Sequence, residues 1–286
     1  MKINQAAKER FQKEVWGYYK QYRRDLPWRT PVAETSFRYG AGDAHDPYRI
    51  FVSEVMLQQT QVVRVIPKYT SFLKKFPDFS SLARASSRAV LKEWQGMGYN
   101  RRALALKRAA EIVVRECKGK LPKTIEELSL LPGIGKATAG AILAYAFEIP
   151  APFIETNIRR TFIHFFFPRA RTVKDENIFK LIGALVDKRH PREWYYAVVD
   201  FGAWLGKNGE NPNKKSAYYR KQAPFRGSVR ELRGRIVKLL LQRNGISFTD
   251  LVRSSSASHT KVEDAVEALL REGFLERKKG KVSLKR

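Results

Sequence analysis

Apolar residues recur at three- and four-residue steps over most of the first 205 positions, the spacing of helices that bury one face. Residues 6–24 (AAKERFQKEVWGYYKQYRR) set Phe11, Val15, Tyr18 and Tyr22 along one side of an amphipathic helix. The same period predicts helices at 49–59, 80–94, 101–117, 138–147, 157–166 and 175–188. Strand-like alternation is scarce, so the body reads as all-α. Two polar stretches interrupt it. Residues 30–47 (TPVAETSFRYGAGDAHDP) are expected to be a surface loop, and 206–228, rich in Gly, Asn, Pro, Lys and Ser, a linker.

From Arg226 the pattern changes. RELRGRIVKLLLQRNG reads as a helix ending at Gly245, SFTDLVRSS holds a short second helix, and HTKVEDAVEALLREG a third, stopped by Gly273. FLERKKGKVSLKR follows as two short strands around Lys279-Gly280. Three helices and a terminal hairpin resemble a winged helix, so the expected domains are 1–225 and a small winged-helix-like 226–286.

Charge narrows the function classes. The 286 residues carry 55 Lys+Arg against 28 Asp+Glu, a formal net charge of +27. Such an excess favours a polyanionic partner, nucleic acid first. The tail alone holds 15 Lys+Arg against 7 Asp+Glu, which points its winged helix at DNA. RNA is the remotest choice, because the RNA-recognition sheet motifs are missing. No apolar run is long enough to span a bilayer and the N-terminus lacks a signal peptide's apolar core. An intracellular monomer is expected, cytoplasmic and nucleoid-associated or nuclear. Cys117 is the single cysteine, which excludes an internal disulfide and an all-cysteine metal site.

Residues 131–157 (LPGIGKATAGAILAYAFEIPAPFIETN) carry the most chemistry. TIEELSLL at 124–131 reads as a short helix with Thr124 as N-cap and Glu127 as its capping partner. Gly133 and Gly135 then turn the backbone sharply into the next helix. The free amides opening that helix suit an anion such as a DNA phosphate, with Lys136 and Thr138 beside them. This is a helix–hairpin–helix. A lone Gly-x-Gly is often an ordinary turn, and the charge of the chain argues against that here.

Four segments together resemble one family: RRDLPWR (23–29), DPYRIFVSEVMLQQTQVVRVIPKY (46–69), WQGMGYNRRALALKRAA (94–110) and the hairpin with IETNIRR. They look like the helix–hairpin–helix base-excision DNA glycosylases, and within these the adenine glycosylases of the MutY type. The likeness runs from about Lys13 to Gly206. It implies two helical lobes with a DNA cleft between them, and a target base flipped out of the duplex, since stacked neighbours shield the glycosidic bond.

Glycosidic cleavage uses two carboxylates of different character. By the resemblance Glu54 is the general acid that protonates the adenine ring, and Val55, Met56 and Leu57 would help desolvate it. Glu155 stands where the family usually has Asp. The extra methylene shifts the carboxylate by roughly a bond length, and misplacement on the order of 1 Å can cost about a hundredfold in rate. Its plainer role is as a helix-start glutamate, favourable with the macrodipole. The resemblance also assigns Arg24, Leu26, Trp28, Arg29 and Asp200 to the base pocket, the last with a rival role as a buried pair. Gln59, Met97 and Tyr99 match residues that wedge into the duplex.

Three departures from the family change the expectation. Endonuclease III-type members carry a Schiff-base Lys where this chain has Ala137, and Lys136 lies one residue early, so the chain is expected to be monofunctional. Most members bind a four-iron, four-sulfur cluster just after the GAW segment, where this chain has no Cys but Lys207, Lys214, Lys215, Arg220 and Lys221. No cofactor is expected beyond a structural Na⁺ or K⁺ on hairpin carbonyls such as those of Leu131 and Ile134. MutY-type enzymes also usually end in a Nudix-like sensor of 8-oxoguanine, for which the tail is too short. The implied activity is excision of adenine opposite 8-oxoguanine or guanine in double-stranded DNA. The alternatives are a thymine or uracil mismatch glycosylase of the same fold and a catalytically idle DNA-binding protein.

Overall fold

The computed structural model describes residues 4–29, 45–209, 211–221, 224–243 and 245–285. Most of the loop expected at 30–47 lies outside these residues. The helices, in chain order, are α1 (Gln5–Tyr22), α2 (Pro47–Leu57), α3 (Val62–Lys75), α4 (Phe79–Arg84), α5 (Ser87–Glu93), α6 (Arg101–Glu116) and α7 (Ile125–Leu130). After the hairpin come α8 (Lys136–Phe147), α9 (Thr156–Phe166), α10 (Asp175–Leu185) and α11 (Pro191–Asn208). The last segment runs α12 (Val229–Gln242), β1 (Ile246–Ser247), α13 (Phe248–Ser255), α14 (His259–Arg271), β2 (Leu275–Lys278) and β3 (Lys281–Leu284). None of the described helices is long and apolar enough to cross a membrane.

The chain divides into two compact units, the first of residues 1–54, 122–130 and 134–221, the second of 55–121, 131–133 and 222–286. In the first unit α1 begins where the Asn4 side chain accepts the Ala7 amide at 3.2 Å, a standard N-cap. Its buried stripe is Phe11, Val15 and Tyr19, a straight i, i+4 ladder. The stripe expected to run on through Tyr22 does not: Tyr22 is exposed, and Tyr18 flanks the ladder against Phe201 and Trp204. Phe11 meets Phe165 edge-on at 5.4 Å, and Trp194 and Tyr195 close the same aromatic core. Helices α9 and α11 cross so closely that a Cβ on Gly202 would lie 2.1 Å from the Asn157 carbonyl oxygen. The Thr161 hydroxyl donates across that crossing to the Val198 carbonyl at 2.9 Å.

Residues 211–221, expected within a linker, are instead built into this unit. Pro212–Lys215 forms a single 3-10 turn, and Val173 and Ser216 pair as a parallel bridge. Arg160 donates to the Asn211 side chain at 3.1 Å and to the Gly202 carbonyl at 2.6 Å, while Asn213 donates to the Thr156 carbonyl at 2.9 Å. The segment is polar because its polar groups bond the start of α9, which composition alone reads as linker.

In the second unit the helix expected at 80–94 is two, α4 and α5. The Ser86 hydroxyl accepts the Ala89 amide at 3.2 Å and starts the second one afresh. The C-terminal segment forms the three helices and hairpin foreseen, plus a third strand too short for periodicity to reveal. The sheet is antiparallel throughout in the order β1-β3-β2. Lys279 and Gly280 both take positive φ, 48° and 70°, as a two-residue hairpin turn requires. Arg88 of α5 donates to the carbonyls of Leu240 (3.1 Å) and Leu241 in the last turn of α12, satisfying groups the helix end leaves open.

Candidate active site

The first unit brings Glu54, Glu155, Arg29, Arg24 and Asp200 into one electrostatic neighbourhood. Glu54 sits near the end of α2. Burial, reinforced by the charge of Glu155 and opposed by Arg29, pushes its carboxyl pKa up to about 8. At neutral pH this side chain therefore holds its proton. The desolvating surround includes Tyr145 and Tyr196, both of which sense the Glu54 charge. Their rings stack at 4.6 Å with 14° between planes.

Glu155 is the N-cap of α9. Its Oε1 accepts both the Asn157 and Ile158 amides at 2.7 Å, and Oε2 accepts the Asn157 side chain at 3.3 Å. The extra methylene is absorbed by folding the side chain back onto its own helix start, a position where Asp or Ser is commoner. Burial raises its pKa, while the two amides and the charges of Arg160 and Arg159 pull the other way. The two carboxyl groups thus have unlike surroundings, one raised chiefly by burial and one held by helix amides.

Asp200 proves to be the buried pair. Its side chain is wholly covered; Arg29 donates at 2.8 and 2.9 Å, Arg24 Nε at 2.6 Å and the Arg24 amide at 3.0 Å. Burial would raise the Asp200 pKa, but the two arginines outweigh it and hold the carboxyl below its ordinary value. Four donors fill the acceptor sites of a carboxylate. Arg29 lies over the Tyr196 ring at 4.2 Å, so Asp200 orients Arg29 and Arg29 orients Tyr196. Leu26 and Trp28 are buried in the same unit. Tyr145 and Tyr196 were not singled out by the sequence pattern. The Tyr196 hydroxyl is buried with no hydrogen-bond partner, a cost a purely packing residue would shed as Phe.

The residues expected to wedge into a duplex belong to the second unit. Gln59 (φ 53°) and Tyr99 (φ 46°) both occupy the left-handed region that non-glycine residues avoid. Arg102, also missed in the sequence, holds both turns. Its guanidinium donates to the carbonyls of Val55 and Met56 at 3.0 Å, to that of Gln58, and to those of Met97 (3.3 Å) and Gly98 (3.2 Å). One arginine thus caps the C-terminus of α2 and pins the Tyr99 turn. The doubled Arg at the start of α6, the wrong end of the macrodipole for a cation, was its only trace in the sequence. Met97, expected at a neighbouring wedge position, is buried between two glycines of positive φ, Gly96 and Gly98.

In the hairpin Gly133 takes φ +82°, and a Cβ there would come within 2.9 Å of the Ala105 Cβ, so this glycine is obligatory. Gly135 differs. It caps α8 in extended backbone with open space around it, so nothing in the fold demands glycine there. Lys136 and Ala137 are exposed and Thr138 is half-buried. Thr124 caps α7 as expected, accepting the Glu127 amide at 3.2 Å and donating to the Glu127 carboxylate at 2.7 Å.

Residues 52–185 match the family described as HhH-GPD superfamily base excision DNA repair protein. The chain carries an HhH-GPD domain. The adenine DNA glycosylase of Mus musculus is 37% identical over 202 residues, 68% of this chain and 37% of the relative. That of Buchnera aphidicola subsp. Baizongia pistaciae is 32% identical over 197 residues, 68% of this chain and 52% of the relative. The chain therefore matches about a third to a half of the length of these relatives. Among solved structures, a thermostable thymine-DNA glycosylase superposes with TM-score 0.59 at 23% identity, covering 74% of this chain and 93% of its own. An endonuclease III trapped as a covalent DNA intermediate gives TM-score 0.56 at 15% identity, covering 78% and 92%. These two likenesses establish the HhH-GPD fold. The iron–sulfur cluster of the resembled family does not fit this HhH-GPD chain. It needs four thiolates, Cys117 is the single cysteine, and no described His, Cys, Asp and Glu residues form a metal-binding group.

Proposed function

We propose that this chain is a monofunctional DNA glycosylase that hydrolyses the N-glycosidic bond of a flipped adenine opposite guanine or 8-oxoguanine. The observation that carries the reading is the unlike pair of carboxyl groups, Glu54 protonated at neutral pH and Glu155 held by helix amides. A carboxyl kept protonated by burial beside one held by helix amides is the mark of an acid and its electrostatic partner. Glu54 donates its proton to a ring nitrogen of adenine as the bond to the sugar breaks, and the electron pair leaves with the base. Glu155 lies ready to stabilise the cationic sugar. Water then adds to the sugar carbon and its proton returns to a carboxylate. Arg29, fixed by Asp200, and Tyr196 line the base site. Ala137 offers no amine for a Schiff base.

Gln59 and Tyr99 enter the duplex, and the amides and Lys136 at the start of α8 hold backbone phosphate. The basic segment 226–286 is read as a winged-helix-like domain with its own DNA contact. Double-stranded DNA with a mismatch is the proposed partner, and an intracellular location follows from it.

Single-turnover base release from duplexes carrying A·8-oxoguanine, A·G, A·C, T·G, U·G and paired controls tests this. Release of adenine alone supports the reading. Release of thymine or uracil replaces adenine as the target, which the unpartnered Tyr196 hydroxyl would accommodate by bonding a pyrimidine carbonyl. Binding without release from any duplex rejects the enzyme reading.

A further inference from the structure

We propose that Arg230 is a positioning residue for the Tyr99 wedge, through which the C-terminal segment sets how the strand opposite the target is opened. The inference rests on the glycosylase reading, which gives Tyr99 its place in the duplex. Arg230 Nη1 donates to the Tyr99 hydroxyl at 2.7 Å, and its guanidinium carbon lies 5.8 Å from the ring centroid. The Arg102 guanidinium stands 5.5 Å from the same centroid. One aromatic ring is thus held by two cations, one from the base of its own turn and one from α12.

Three features show that the contact is built. Tyr99 has positive φ, a conformation that persists only where surrounding structure enforces it. Arg230 stands in the first turn of α12, where a cation opposes the helix dipole, so its placement needs a compensating contact. The far end of α12 is tied by Arg88 to α5, which gives Arg230 a fixed base. Tyr99 also walls a cavity of about 450 Å³ lined by Gln58, Gln59, Arg101 and Arg108. Anchoring the ring by its hydroxyl keeps that polar atom satisfied when a duplex displaces water from it. It also presents the ring face, with its cationic support, to a neighbouring base.

The test uses the full chain and a duplex with tetrahydrofuran at the target position and 2-aminopurine opposite, so that no chemistry is needed. Wild type should bind and raise the 2-aminopurine fluorescence as the base unstacks. Arg230→Ala should keep its melting temperature, lose about five- to tenfold in affinity, on the order of one bonded guanidinium, and give a smaller fluorescence rise. Arg230→Lys should recover part of both, since it restores the bond to the hydroxyl without the flat stack. Tyr99→Phe, which removes the hydroxyl that Arg230 bonds and keeps the ring, should reproduce most of the Arg230→Ala loss. In a Tyr99→Leu background Arg230→Ala should cost nothing further.

A loss that persists undiminished with Leu at position 99, and a salt slope lowered by about one, would mean that Arg230 contacts phosphate, and the proposal would be wrong. An unchanged fluorescence rise in Arg230→Ala would overturn it as well. A chain that released no base from any mismatch would defeat the glycosylase reading separately, because the abasic duplex measures Arg230 and Tyr99 without catalysis.

Discussion

Around Asp200 every acceptor is answered. Two arginines and a backbone amide fill one carboxylate, and the arginine so fixed lies over a buried tyrosine ring. Around Tyr99 the arginines bond carbonyls and the hydroxyls of Thr60 and Tyr99. The first region is a neutralised interior in which one carboxyl, Glu54, is left to keep its proton. The second is a cationic scaffold that holds strained turns in place. A site that must perturb a pKa gains from burial and fixed pairing. A site that must meet a polyanion gains from a high density of guanidinium charge.

The largest effect should come from Glu54. Glu54→Gln should lower single-turnover base release by roughly a thousandfold, the range of a lost general acid, and leave duplex binding near wild type. In the wild type, release should fall as pH rises through about 8, where the Glu54 acid form disappears, and the variant should lack that limb. Stability has the same sign. The folded pKa near 8 lies above the ordinary 4.5, so the unfolded chain ionises first and stability is lost as pH rises between those values. Glu54→Gln should therefore melt higher than wild type at pH 8 and not at pH 4, by an amount on the order of a few kcal/mol. Equal melting at both pH values would show that Glu54 is not desolvated.

Asp200→Asn attacks the other half of the comparison. It leaves two guanidiniums facing a neutral amide in a covered site, and breaking such a pair typically costs about 3–5 kcal/mol. Denaturant unfolding should show a loss of that order, together with weaker base release because Arg29 is no longer fixed. A loss below roughly 1 kcal/mol would mean the pair is not structurally required.

How much of this was legible in the sequence differs between the two regions for physical reasons. The helices around Phe11 and Phe162 follow from periodicity, because one-sided burial writes a period. The terminal hairpin was legible at Lys279-Gly280 because a two-residue turn needs positive φ. Glu54, Glu155 and Tyr99 came from motif resemblance. Arg102, Arg230 and Tyr196 did not, since their roles depend on partners far away in the chain: Arg230 reaches Tyr99 across 131 positions. The burial of Met97 was not legible either, because a motif fixes a position along the chain and not which way a turn flanked by two glycines points it. Residues 211–221 were misread because a segment that bonds a helix start has the composition of a solvated linker.

Glu155→Asp separates two jobs on one residue. Asp is a better N-cap than Glu, so the variant should stay within about 1 kcal/mol of wild type in stability. The carboxylate would retract by about a bond length from where the longer side chain places it, and base release should slow by roughly ten- to a hundredfold. Unchanged release at unchanged stability would show that Glu155 only caps α9, and the sugar cation would need another partner.

The smallest effect belongs to Lys136, which is exposed at the start of α8 and lies in neither network. Lys136→Glu should weaken binding to every duplex by about the same factor, whatever base is mispaired, because a phosphate contact carries no sequence information. The slope of log affinity against log salt should fall by about one for the lost contact, with a little more from the repulsion of the new carboxylate. Base release at saturating enzyme should not change, since Lys136 touches neither carboxyl group. A loss confined to one mismatch would mean that the hairpin reads the lesion, and the division between a pocket that selects and a cationic surface that only holds would then fail at its simplest point.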